Sequence, residues 1–168
     1  MSDIVNKVAQ SGLITIDLED LYPEGERILF DISHLLIEGL LLREKDFREF
    51  IAQHDWSGYA SKHVALYCST DAIIPRWAWM LLITALSPFA RTTVVGDLES
   101  LESHLYTEVL RTINPEDYRD QRVVIKGCSN KPVPAQAYAR LTEILRPVAK
   151  SILYGEPCST VPVYKRSS

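Results

Sequence analysis

The sequence predicts an α/β fold: a mostly parallel mixed sheet flanked by helices, with antiparallel strands contributed by the N-terminal part. Three observations predict it. Short β-branched runs alternate with helical stripes in the second half of the chain. The first half opens on period-2 alternation. The 168 residues, 46% hydrophobic and 24% charged with only 7 Gly, have the usage of an ordinary globular chain. No linker rich in Gly, Ser or Pro interrupts them, so a single α/β domain over residues 1–168 is expected.

Ile14, Ile16 and Leu18 alternate with polar neighbours, as do Ile28, Phe30 and Ile32, and both runs are expected as half-buried strands. Leu40-Leu41-Leu42 is expected as a third short strand. Phe47, Phe50, Ile51 and His54 fall on one face of a helix over about 44–54. His63 to Tyr67 is a compact strand, followed by an apolar helix from about Asp71 to Leu86. Thr92 to Val95 is the next strand, closed by Gly96. Asp97 is placed to cap a helix whose stripe is Leu98, Leu101, Leu105 and Val109. Asn114-Pro115 opens a short turn, Arg122 to Lys126 is a strand, and Pro134 to about Leu145 a helix that Pro147 stops. Ser151 to Tyr154 completes the series. Strands alternating with helices predict parallel pairing by crossover, with the N-terminal strands antiparallel at an edge.

Several chemistries are excluded by what the sequence lacks. There is no G-x-G-x-x-G, P-loop, G-x-S-x-G elbow, H-E-x-x-H or EF-hand loop. A phosphatase loop needs Arg six positions after its Cys, where this chain has Ile74, Pro134 and Tyr164. The net charge is −4, and no basic run occurs outside Lys165-Arg166, so nucleic acid is not an expected partner. The N-terminus has no signal-peptide pattern, and the longest apolar stretch, Ala72 to Leu86, carries Arg76 and is too short to span a bilayer. A cytoplasmic protein without membrane contact is the expectation. Its three cysteines would then be thiols or metal ligands, not disulfides.

Those cysteines carry the functional signal. Cys68, Cys128 and Cys158 each follow a predicted strand, each is followed by Ser, and each is near a Gly or Pro. In open α/β sheets ligands bind beyond the carboxyl ends of the strands, where helix N-termini favour thiolate over thiol. Three thiolates form a soft set suited to zinc, iron or an iron–sulfur cluster, and Asp97, also at a strand end, is the first candidate for a fourth ligand. His54 and His63 come next. Against this stands the plain alternative that each Cys is a small buried hydrophobe, that Asp97 is only a helix cap, and that His54 sits in a core.

Along most of its length the chain resembles an uncharacterised Bacteroidetes family catalogued as domain of unknown function 2480. The resemblance lies in Ile4 to Ala9, Leu42 to Arg48, Ala72 to Pro75, Val124 to Ser129 and Gly155 to Pro162. It implies no activity. The family's genomic context is similar to that of accessories of iron–sulfur cluster assembly, which implies assembly proteins as partners.

Three functions are therefore expected in order. The first is a cysteine-ligated metal or iron–sulfur site built from Cys68, Cys128, Cys158 and Asp97, in an accessory of cluster assembly. The second is a thiol enzyme or persulfide carrier using Cys158. The third is a non-catalytic interaction module, whose apolar helix packs on a partner or forms a homo-oligomer.

Overall fold

A computed structural model of the chain describes residues 5–8, 12–127, 130–156 and 158–168, the first of these as backbone only. The chain forms two compact units. One is continuous, Glu24–Leu101; the other is interrupted, Met1–Pro23 with Glu102–Ser168. Among the described residues no helix is long and apolar enough to cross a membrane.

The interrupted unit holds β1 (Val5–Val8), β2 (Leu13–Asp17), β6 (Arg122–Lys126), β7 (Ser151–Glu156) and β8 (Ser159–Lys165), hydrogen-bonded in that spatial order. The continuous unit holds β3 (Arg27–Asp31), β4 (His63–Tyr67) and β5 (Thr92–Val95) in a separate three-stranded sheet. The helices are α1 (Glu44–Gln53), α2 (Arg76–Leu86), α3 (Leu98–Leu110) and α4 (Ala135–Leu145). The expected mostly parallel α/β fold is present. The expected edge strands differ: β2 pairs in parallel with β6, and β3 in parallel with β4. Antiparallel pairing joins β1 to β2 and, at the C-terminal end, β7 to β8. Strands consecutive in the chain do not all share a sheet, because β5 pairs with β4 and β6 with β7. The chain changes sheet within α3, whose buried Tyr106 and Leu110 belong to the core of the interrupted unit.

Each core is a sheet face covered by helices. In the continuous unit Phe30, Val64 and Leu66 meet Phe47 of α1 and the stripe Ala78, Leu82, Leu86 of α2. In the interrupted unit Ile14, Ile16, Val123, Ile125 and Ile152 meet the stripe Ala137, Leu141, Leu145 of α4. Spacings of four residues keep each stripe on one side of its helix. Tyr106 is fully buried, and its hydroxyl donates to Leu18 O at 2.8 Å, so no polar group is stranded there.

Local departures have local causes. Leu40 and Leu41 are exposed and form only an isolated bridge, Ile37↔Leu41, around the positive-φ pair Glu38 and Gly39. Helix α2 starts at Arg76 and not near Asp71, since Pro75 cannot continue a helix backwards and stands as its N-cap. Strand β8 was not expected. It contains Pro162, which is tolerated because β8 is an edge strand and Pro162 sits at its register shift.

The two units are built alike. Residues 56–97 and 115–156 carry the same elements in the same order at a constant offset of 59 positions, matching Pro75 with Pro134, Leu82 with Leu141 and Gly96 with Gly155. Ser61 and Asp120, matched by this offset, are both left-handed at φ 62° and 60°. The first parallel strand of each unit, β2 or β3, ends in an aspartate, Asp17 or Asp31, that caps a single 3-10 turn.

Candidate functional site

In each unit the parallel strands end at one rim. In the continuous unit Asp31 terminates β3 and accepts the N–H groups of Ser33 and Ser69 at 2.9 and 3.1 Å. Burial works to raise the Asp31 pKa, but hydrogen bonds from Ser69 and Ser33 outweigh it and hold the carboxyl at about 2. The Ser69 and Ser33 hydroxyls are also hydrogen-bonded, at 3.1 Å. This ties the loop after β4 to the end of β3 and fixes Cys68 between them.

Cys68 is half-buried. Its Sγ lies 3.3 Å from Thr70 Oγ1 and donates weakly to Thr70 O at 3.6 Å. Together with Leu66, Thr70, Ile74, Trp79 and Gly96 it lines an open cavity of about 320 Å³ beyond β4 and β5. Asp97 stands at the end of β5. Its Oδ1 accepts from Ser100 N and Ser100 Oγ at 2.8 and 2.9 Å, and these bonds lower its pKa. The expected helix cap is therefore formed, and the carboxylate is ionised.

At the rim of the interrupted unit Lys126 Nζ lies 3.7 Å from Asp17 Oδ2 and 3.5 Å from Glu156 Oε2. Glu19 Oε1 accepts the N–H groups of Asn130 and Lys131 at 3.0 and 3.3 Å, anchoring the loop after β6. The Tyr138 hydroxyl donates to Gly127 O at 3.2 Å and fills the space a Cβ at that position would need. Position 127 matches position 68 by the repeat offset, so a tyrosine hydroxyl here stands where the other unit carries a thiol. Strands β7 and β8 form a hairpin closed by the pair Glu156↔Ser159, and its two-residue connection ends in Cys158, whose side chain is exposed.

The structure thus puts Cys68 and Asp97 at the ends of neighbouring strands in one unit and Cys158 at a hairpin tip in the other; Cys128 lies outside the described residues. Among the described residues no three His, Cys, Asp or Glu stand close enough together to hold a metal ion. The histidines serve elsewhere. His54 Nε2 is 3.0 Å from the Tyr59 hydroxyl, inside an aromatic cluster with Trp56 and Phe30. His63 is buried at the amino end of β4 with Nε2 donating to Glu24 O, roughly 16 Å of extended strand from Cys68.

The roles of Asp31, Asp17 and Glu19 have no local sequence signal, since Asp31 and Glu19 hold loops far away in the chain and Asp17 meets Lys126 at the end of β6. The duplicated pattern of a strand ending in Asp, followed by an apolar residue, is the signal that would have found the two aspartates.

A family model described as a protein of unknown function (DUF2480) matches residues 2–166. No curated protein sequence and no solved structure matches the chain.

Proposed function

The chain belongs to the DUF2480 family, whose description carries no activity, and we propose that it is a thiol carrier in which Cys158 is the working residue. The observation that carries this is the exposure of the Cys158 side chain next to Ser159, whose pairing with Glu156 joins β7 to β8. A thiolate so presented reaches a partner protein without local unfolding. In the step proposed, Cys158 attacks the outer sulfur of a donor persulfide. The donor's S–S bond breaks, its inner sulfur leaves as thiolate, and Cys158 becomes the persulfide. The proposed setting is the cytoplasm, where thiols stay reduced, and the proposed partners are iron–sulfur assembly proteins. Incubation with a small-molecule persulfide followed by mass spectrometry is expected to add one sulfur atom at Cys158 and none in Cys158→Ser. Equal addition to Cys68 would reject the assignment.

A second reading is a zinc or iron site, or an iron–sulfur cluster, that takes Cys68 and Asp97 of the continuous unit among its ligands, in a protein of the same pathway. What favours it is that Cys68 and Asp97 follow the paired strands β4 and β5, and that Asp97 is ionised, the form a ligand requires. Recruiting Asp97 through Oδ1 would withdraw it from Ser100 and weaken the cap of α3, whereas Oδ2 accepts neither Ser100 bond. Anaerobically purified protein is expected to carry stoichiometric zinc or iron on this reading, reduced in Cys68→Ala; metal-free protein rejects it.

A further inference from the structure

We propose that the amino-terminal end of the interrupted unit's sheet is a binding site for a small phosphate-bearing molecule with an apolar body, independent of the thiols. Strands β7 and β8 lose register there: Ile152 pairs with Tyr164 and Leu153 with Pro162, leaving Val163 as the extra residue of a bulge. The bulge borders a cavity of about 390 Å³, within the size range of small-molecule sites.

Arg122, Lys150, Lys165 and Arg166 all line it. Four cations converge in a chain whose net charge is −4, so the cluster runs against the bulk composition. Only Arg166 has a carboxylate partner, Asp120 Oδ1 at 2.6 Å; the other three form no ion pair among the described residues. Clustered cations repel one another, and an anion among them removes that cost while taking charge-assisted hydrogen bonds.

A second observation is uncharged. Ser151 lines the same cavity, and its Oγ is buried without a hydrogen-bond partner. Buried hydroxyls rarely stay unpaired, and a ligand oxygen beside Ser151 supplies the missing acceptor. The remaining wall is apolar, from Pro162 and Tyr164, and the Tyr164 ring is held by the Arg146 guanidinium at 5.0 Å from its centroid. Inorganic phosphate would use the cations and leave this wall idle, whereas a phosphate ester uses both.

The repeat shows that the arrangement is not a general property of the fold. The matched positions of Arg122, Lys150 and Ser151 in the continuous unit are His63, Arg91 and Thr92. There His63 is buried against Glu24 O, and the neighbouring Lys62 pairs with Glu26 at 3.2 Å. The basic cluster belongs to one unit alone, at the opposite end of β6 and β7 from Lys126 and Cys158. It encloses a pocket and does not form a track, which suits a small ligand and not a nucleic-acid backbone.

Titration calorimetry at low ionic strength with ATP, pyrophosphate, inorganic phosphate and adenosine tests this on the full chain. ATP is expected to bind saturably, tighter than pyrophosphate or phosphate, with adenosine silent. Arg122→Gln with Lys150→Gln is expected to weaken ATP binding about tenfold or more. Lys165→Gln, on the exposed edge strand, gives the same direction if the double variant does not fold. Ser151→Ala is expected to weaken it by a smaller factor. No saturable ATP binding, binding unaltered in the folded charge variants, or pyrophosphate binding as tightly as ATP would each overturn the proposal.

Discussion

Leu141→Ala is expected to lower the unfolding free energy by about 3 kcal/mol, and Leu82→Ala by a similar amount. Both side chains are fully buried, each at the centre of its helix stripe and facing a parallel sheet. Truncation removes the transfer energy of three carbons and leaves a void that β-branched neighbours such as Ile152 and Val64 cannot collapse into freely. The two positions correspond by the 59-residue offset, so their costs are expected to match more closely than those of two core leucines chosen at random. Urea denaturation followed by circular dichroism measures both. A loss of less than about 1 kcal/mol at either position would mean that its stripe is not the packed seam described.

Gly155→Val is expected to cost about 2 kcal/mol or more and to disturb the hairpin that carries Cys158. Gly155 has φ +117°, a conformation L side chains avoid, and a Cβ there would lie 2.8 Å from Ser159 O, a backbone atom that cannot swing aside. Gly12 is the control. Its φ is +65°, and among the described residues nothing lies within 4 Å of where a Cβ would stand, so Gly12→Ala is expected to meet the left-handed penalty, about 1 kcal/mol. Thermal melts of the two variants side by side check this. A Gly155→Val protein as stable as Gly12→Ala would show that the turn adapts and does not hold Cys158 in one place.

How much of this was legible in the sequence depended on the range of the interaction. His63–Tyr67, Thr92–Val95 and Arg122–Lys126 were legible as strands to the residue, because β-branched runs bounded by turn residues are a local signal. The Asp97 cap was legible for the same reason, since its partner Ser100 is three residues away. Strand partners were not. Alternation in Ile14 to Leu18 marks a half-buried strand but does not say that Arg122–Lys126, more than a hundred residues on, is its neighbour. The duplication was hidden because its matched residues are mostly the alanines and leucines any amphipathic helix carries and the prolines that flank helices, and it becomes evident only when the positive-φ pair Ser61 and Asp120 and the helix stripes are aligned. At the candidate site Cys68 was correctly placed at a strand end. The hairpin presenting Cys158 was missed because Pro162 argues locally against a strand.

Competitive alkylation of the native protein, read cysteine by cysteine by mass spectrometry, reaches the thiol proposal most directly. Cys158 is expected to react with iodoacetamide about tenfold faster than the half-buried Cys68, with the difference vanishing in urea. Equal, slow labelling of both thiols in the folded chain would contradict a working role for Cys158.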